Sequence, residues 1–319
     1  MRSGLCDSRW RAPDDHSPLP SSHINHQSFA ISSFFTPFHD PFFQRALLAG
    51  LLIGFTNGFF SGFVVLRRSA LSVSALSHTM LPGIALGILV TGALTQFNAF
   101  IGALAATLFV GLGSLLVSRT SRVAQGTALA ILYTTAFAIG VAVLPLLDES
   151  NELEHWLFGD IRLVSSSDLW LAFAIGCIIL LTSNLFFRPL LLTLFEPNIA
   201  AAQGVPVRSM NYLLFGLLIM ALVTSLQAVG CVLSVGLLVA PAATLSLLTN
   251  RTPLLFWGGG LLGAAGSVSA LLIAWWANLS AGPAIVIVLG ALFLLAFLLG
   301  PKYGFLTNRS KFSPPPPNH

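Results

Sequence analysis

Long stretches of this chain carry no formal charge. Asp, Glu, Lys and Arg are absent from residues 69–118, 123–147, 169–187, 209–250 and 252–301. A helix needs ~20 apolar residues, rising ~1.5 Å each, to cross ~30 Å of hydrocarbon. The longer windows therefore hold two crossings each and must turn within themselves, near 95–98, 228–234 and 278–283. Only helices and closed barrels can satisfy their backbone in lipid. Barrel strands would alternate in polarity over ~10-residue segments, and these runs are continuously apolar. The pattern predicts an all-α, polytopic transmembrane bundle of about nine helices, near 43–66, 69–92, 97–118, 124–146, 169–187, 211–230, 233–249, 254–277 and 282–300.

Composition agrees: 55% of residues are hydrophobic and only 8% charged, with a mean hydropathy of +0.85. A soluble domain carries roughly 25% charged residues, so the solvent for most of this chain is lipid. The net charge of +4 comes without a basic run, which argues against nucleic acid as a partner. Residues 1–27 are polar and lack the apolar core of a signal peptide. They read as a disordered tail or as an extension from a start codon called too early. Residues 28–42 lead into a membrane domain spanning 28–303, and 304–319 form a proline-rich tail. Cys6, Cys177 and Cys231 form no CxxC pair and predict neither a disulfide framework nor a zinc-finger site.

Basic residues orient the bundle. Arg67 and Arg68 follow the first crossing, Arg119 and Arg122 the third, Arg188 and Arg208 flank the loop after the fifth, Arg251 follows the seventh, and Lys302, Arg309 and Lys311 follow the ninth. Every second loop is basic, which places the N-terminus outside and the C-terminus in the cytoplasm. The outer loop 147–168 holds Arg162 among six acidic residues.

Candidate chemistry starts with what is missing. No GxxxxGK[ST] loop exists, so the chain cannot bind ATP in the P-loop manner, and HExxH and GxSxG are absent too. His78 is the only histidine within a crossing, ~14 Å into the second one at ~1.5 Å per residue. Pro82 follows four residues later and removes the helical partner of the His78 carbonyl, while Gly83 and Gly87 let another backbone approach. The expectation is a kinked, polar point deep in the bilayer. An imidazole there either lines a substrate path for a metal such as zinc or iron or packs by hydrogen bonding to a neighbouring helix. Gly54, Gly58 and Gly62 recur every fourth residue on the first crossing and predict close helix packing. Asn57, Gln227, Thr134 and Thr135 either line a pathway or bridge helices.

Two loops stand out. Glu152, Glu154 and His155 form an outer cluster suited to drawing in a cation, docking a partner, or simply being solvated. On the basic side, Glu196 is followed by Pro197, suited to a helix start, and Gly204, suited to its end. With Ala201, Ala202 and Val205, this segment predicts a short helix of small residues that could seat in a partner's groove.

Several segments resemble the zinc, manganese and iron permeases of ABC transporters, the ABC-3 family: FQRALLAG at 43–50, GFVVLRRSALSVSALSHTMLPGIALG at 62–87, LEHWLFGDI at 153–161, EPNIAAAQGVPV at 196–207 and SLQAVGCVLSVGLLVAPAATLSLLTNR at 225–251. They stand in the family's order. The resemblance implies a type II importer permease of the bacterial inner membrane, not itself an enzyme, working as a homodimer or heterodimer with a separate cytoplasmic ATPase subunit and an extracytoplasmic metal-binding protein. It implies no permanent cofactor and a divalent cargo, Zn, Mn or Fe. Segment 196–207 would be the coupling helix to the ATPase. In the family, GDALSHAVLPG supplies an Asp and a His for metal in the channel; here the His is His78 and the Asp position is Ser74, a weak neutral ligand. A permease for a metal chelate (siderophore, haem or cobalamin) is the alternative. An intramembrane enzyme is disfavoured by the lack of acidic residues or a catalytic motif in the crossings.

Overall fold

The computed structural model describes residues 41–92, 95–143, 145, 165–230, 234–277 and 279–300. Among them every regular element is an α-helix: α1 Pro41–Leu66, α2 Ala70–His78, α3 Met80–Thr91, α4 Gln96–Thr120, α5 Gln125–Val143, α6 Ser166–Leu185, α7 Phe187–Phe195, α8 Pro197–Ala202, α9 Val207–Val229, α10 Ser234–Leu248, α11 Thr252–Ala277 and α12 Ala281–Leu299. Eight spans are long and apolar enough to cross a membrane, counting α2 and α3 together. The ninth predicted crossing is α10, whose 15 residues reach only ~22 Å. The all-α polytopic bundle is therefore the observed architecture, with about nine membrane-directed segments.

The bundle is organised by α1 and α9, the most enclosed of the long spans. On α1, glycine replaces side chain wherever α11 runs antiparallel to it. A Cβ on Gly54 would lie 2.6 Å from Ser267 Oγ and 2.7 Å from the Gly263 carbonyl, and one on Gly58 would overlap the Gly259 carbonyl. One turn further, a Cβ on Gly62 would lie 2.7 Å from the Phe256 ring. Small residues bring the backbones together, and dispersion then supplies the attraction that the hydrophobic effect cannot supply between helices in lipid. Where the glycines end, rings take over: Phe63 and Phe187 meet Phe256 at centroid distances of 4.6 and 4.9 Å. Phe187 opens α7, so the Arg-rich end of the bundle is anchored in the same cluster.

A second close contact joins α3 and α4. The carbonyls of Gly83 and Gly102 each occupy the space a Cβ on the other would need. On the opposite flank, Pro82 fills the space left by Gly140 of α5. Between α1 and α10 the contact is polar: the Ala242 N–H donates to Ser61 Oγ at 3.1 Å. Pro241 interrupts the ladder of α10 at this point, and a hydroxyl from α1 serves the neighbouring amide.

Two details depart from the sequence reading. The second crossing, expected over 69–92 with a kink, is two helices that meet at Thr79. Pro82 is the third residue of α3, in a first turn whose N–H groups lack intrahelical partners anyway. Restarting the helix costs less there than carrying proline in a helix interior. The loop after the fifth crossing contains not one short helix but two. The additional one, α7, buries Leu190 and Thr193 and exposes Phe195.

Candidate functional site at the α2–α3 break

His78 is the last residue of α2. The break beside it is held by hydroxyls. Thr79 is fully buried and its Oγ1 donates to the Leu76 carbonyl at 2.7 Å. The same oxygen lies 3.1 Å from the Thr107 hydroxyl of α4, which donates to the Ala103 carbonyl at 2.6 Å. Gly83 N–H reaches back to the Thr79 carbonyl at 3.3 Å. The interruption is thus pinned to α4 on one side and, through Pro82 and Gly140, to α5 on the other.

The imidazole itself faces α5. Its ring lies 6.4 Å from Tyr133, nearly parallel, and 6.3 Å from Phe137, edge on. Ser74, one turn earlier on the same face, is half-buried like His78. Leu71 continues that face and is 87% exposed. The chain's own helices therefore do not cover the outer part of the Leu71, Ser74 and His78 face. Among the described residues no three His, Cys, Asp or Glu side chains gather in one place, and the rings that meet His78 are those of Tyr133 and Phe137.

The loop 196–206 is the other predicted site. Six residues of helix run from Pro197 to Ala202, and Gly204 follows at φ +79°. The Gly204 N–H donates to the Ala201 carbonyl at 3.1 Å and the Val205 N–H to the Ala200 carbonyl at 2.9 Å. This paired closure is a Schellman cap, which needs the left-handed residue that glycine accepts. Ala200 is buried beneath it while Glu196, Ile199, Ala201, Ala202 and Gly204 are exposed and Val205 is half-buried. The result is a small-residue knob fixed to the bundle by Ala200 and presented outward.

The ABC 3 transport family matches residues 39–300. The chain belongs to this family. Among its relatives, the manganese transport system membrane protein MntC of Halalkalibacterium halodurans is 39% identical over 246 residues, covering 77% of this chain and 82% of that protein. The manganese import system permease protein ScaB of Streptococcus gordonii is 34% identical over 249 residues, covering 78% and 88%. Among solved structures, PsaBC from Streptococcus pneumoniae in complex with Fab has a TM-score of 0.76 at 33% identity, covering 86% of this chain and 98% of that one. A metal-chelate type ABC transporter in an inward-facing conformation, at TM-score 0.62 and 17% identity, shares the fold.

In this ABC-3 chain the structure brings His78, Ser74, Pro82 and Gly83 into one region and places the loop at Glu196, Ala201, Ala202, Gly204 and Val205 elsewhere, with α8 packed against α7 and the start of α9. Gly54, Gly58 and Gly62 lie at the α1–α11 contact. Glu152, Glu154 and His155 fall outside the described residues, as do both tails. Thr134 and Thr135 donate to the Ala130 and Ile131 carbonyls of their own helix, at 2.8 Å each, and so bridge nothing. Asn57 is 1% exposed, and its Nδ2 has no partner among the described residues. Tyr133 and Phe137 were not singled out from sequence. Their spacing of four residues marks a shared face of α5, but nothing in the chain's order says that this face meets His78.

Proposed function

We propose that this chain is the membrane-spanning permease subunit of an ATP-driven importer in a bacterial inner membrane, and that its cargo is a divalent transition metal ion, manganese foremost. The observation that carries this reading is 34–39% identity, over more than three quarters of the chain, with permeases named for manganese transport. The face bearing Ser74 and His78 supports it: an imidazole and a hydroxyl sit beside a helix break inside the crossing, on a surface the chain leaves uncovered. A second permease copy facing this surface would enclose a path between the two chains. The Arg-rich end is cytoplasmic on this reading. A metal-loaded binding protein docks on the outer loop at Glu152, Glu154 and His155, and a separate ATPase subunit grips the knob at 196–205.

The reaction is movement, not bond chemistry. Neutral donors hold a divalent ion weakly, which suits transit better than storage. Switching would come from the knob, since Phe187 and Ala200 tie it to the core. Uptake of free Mn²⁺ into vesicles carrying the whole complex tests the assignment. Competition by Mn²⁺ and indifference to siderophore or haem is the expected result; the reverse would make it a chelate permease.

The Gly204 cap gives a sharper test of coupling. Valine at φ +79° is strained by about 1–2 kcal/mol, enough to unwind a six-residue helix. Gly204→Val is expected to leave thermal stability nearly unchanged and to lower metal transported per ATP hydrolysed several-fold. A normal ratio in reconstituted vesicles would remove this loop from the transmission path.

A further inference from the structure

Two arginines, one just past the end of α1 and one in the last turn of α4, reach one face of α9. The Arg67 guanidinium carbon lies 4.8 Å from the Phe215 ring centroid, and that of Arg119 lies 4.5 Å from Tyr212. Tyr212 and Phe215 are three residues apart and so neighbours on the helix surface. A ring satisfies the flat face of a guanidinium, but its five N–H donors lie in the plane of the group and point outward at the edge.

Among the described residues no carboxylate is paired with either charge. The only carboxylates among the described residues are Asp168 and Glu196. Asp168 accepts from the Ser165 N–H in the capping box of α6, at the other end of the bundle. Glu196 is exposed on the loop. Alternating crossings bring Arg67, Arg68, Arg119, Arg122, Arg188, Arg208 and Arg251 to one end, and in the whole sequence Glu196 is the only acidic residue that falls between them on that side. Arg67 is in addition partly desolvated against Phe60, Phe63, Val64 and Leu214, and burial pushes its guanidinium below the ordinary value. A half-buried cation without an anion is costly.

Position indicates which anion is at hand. Tyr212 and Phe215 lie five and eight residues past the start of α9, so the two charges sit about 8 and 12 Å back toward the bilayer from the loop. A soluble partner seated on the exposed knob would stop short of that level. Lipid headgroups are the anions found there.

We propose that Arg67 and Arg119 form a binding site for the phosphate of an anionic phospholipid, gripped by two guanidinium edges over the Tyr212 and Phe215 rings. Such a lipid would tie the ends of α1 and α4 to α9. The inference is independent of the cargo.

The full chain, purified in mild detergent and stripped of lipid, is titrated with phosphatidylglycerol or phosphatidylcholine and read by native mass spectrometry. Phosphatidylglycerol should be retained in preference. R67Q/R119Q should lower that retention roughly tenfold, the size of losing one charge-assisted contact, with phosphatidylcholine unaffected. R188Q/R251Q removes the same charge from the same end and should change neither. Equal losses in both double variants, or undiminished retention in R67Q/R119Q, would overturn the site. If inorganic phosphate alone displaces the lipid and raises the melting temperature of the unmodified chain only, the ligand is free phosphate and the lipid assignment fails. If R67Q/R119Q instead loses a co-purifying ATPase subunit and keeps its lipid, the pair belongs to a protein contact. Should R67Q/R119Q not fold, R67K/R119K keeps the charge without the planar edge and should still lose lipid; wild-type retention there would equally refute the proposal.

Discussion

Replacing His78 with alanine is expected to lower manganese uptake by at least roughly tenfold, the loss seen when even an indirect metal contact is removed, while the permease still assembles. The argument rests on what else is near. A bare divalent ion in an apolar medium faces a solvation cost of tens of kcal/mol, so a path through a bilayer must offer a donor at each step. On the α2 face this chain offers an imidazole and one hydroxyl, with a neutral side chain at the place where related permeases resemble one another in carrying Asp. Among the described residues no cluster of other metal-binding side chains stands ready to replace the imidazole. Folding should survive, because His78 is half-buried and the break is held by Thr79 and Thr107 rather than by the imidazole. Uptake of radioactive manganese into vesicles, alongside size-exclusion of the complex, separates transport from assembly. Unchanged uptake would mean that the ion does not pass this face.

How much of this was legible in the chain's order depends on whether the signal was local. Charge-free windows placed the long helices within a few residues, because the crossing length is set by bilayer thickness and not by any particular contact. Pro197 and Gly204 marked α8, since a proline at a helix start and a glycine at its end act within a single turn. The break at Thr79 was legible only as a kink near Pro82. Its true position depends on Thr107, 28 residues away, accepting a hydroxyl into the packing of α4. Helix α7 was hidden for a different reason: Arg188 and Pro189 end the apolar run and read as the start of a loop, and only the anchor of Phe187 on Phe256 shows that the chain continues as helix. The Tyr133 and Phe137 rings beside His78, and the Arg67 and Arg119 pair on α9, are contacts between helices distant in sequence, and no periodicity encodes which faces meet. Gly54, Gly58 and Gly62 occupy the intermediate case. Their spacing announces a flat face, and the partner, Gly259, Gly263 and Ser267 of α11, carries a matching small-residue pattern over 200 residues later.

That pairing has a large consequence for stability. Gly58→Leu is expected to prevent accumulation of folded protein or to lower its melting temperature far more than a change at a glycine with open space around it. Overpacking a core costs typically ~1–3 kcal/mol when side chains can rotate aside. Here the added Cβ overlaps the Gly259 carbonyl and meets the Gly260 Cα at 3.2 Å, and backbone cannot rotate aside. Relief requires α1 and α11 to separate, and separation also opens the Phe59, Phe63 and Phe256 contacts, at centroid distances of 4.6 to 5.5 Å. Gly216→Ala on α9 is the matched comparison. A Cβ there meets nothing within 4 Å, so the exchange should be neutral or stabilising by up to ~1 kcal/mol through helix propensity. Detergent-extracted yield and thermal melting of both variants decide the point. Equal melting temperatures would show that α1 and α11 do not meet in the folded protein, and with that the frame holding α9 and the α2–α3 break would have to be redrawn.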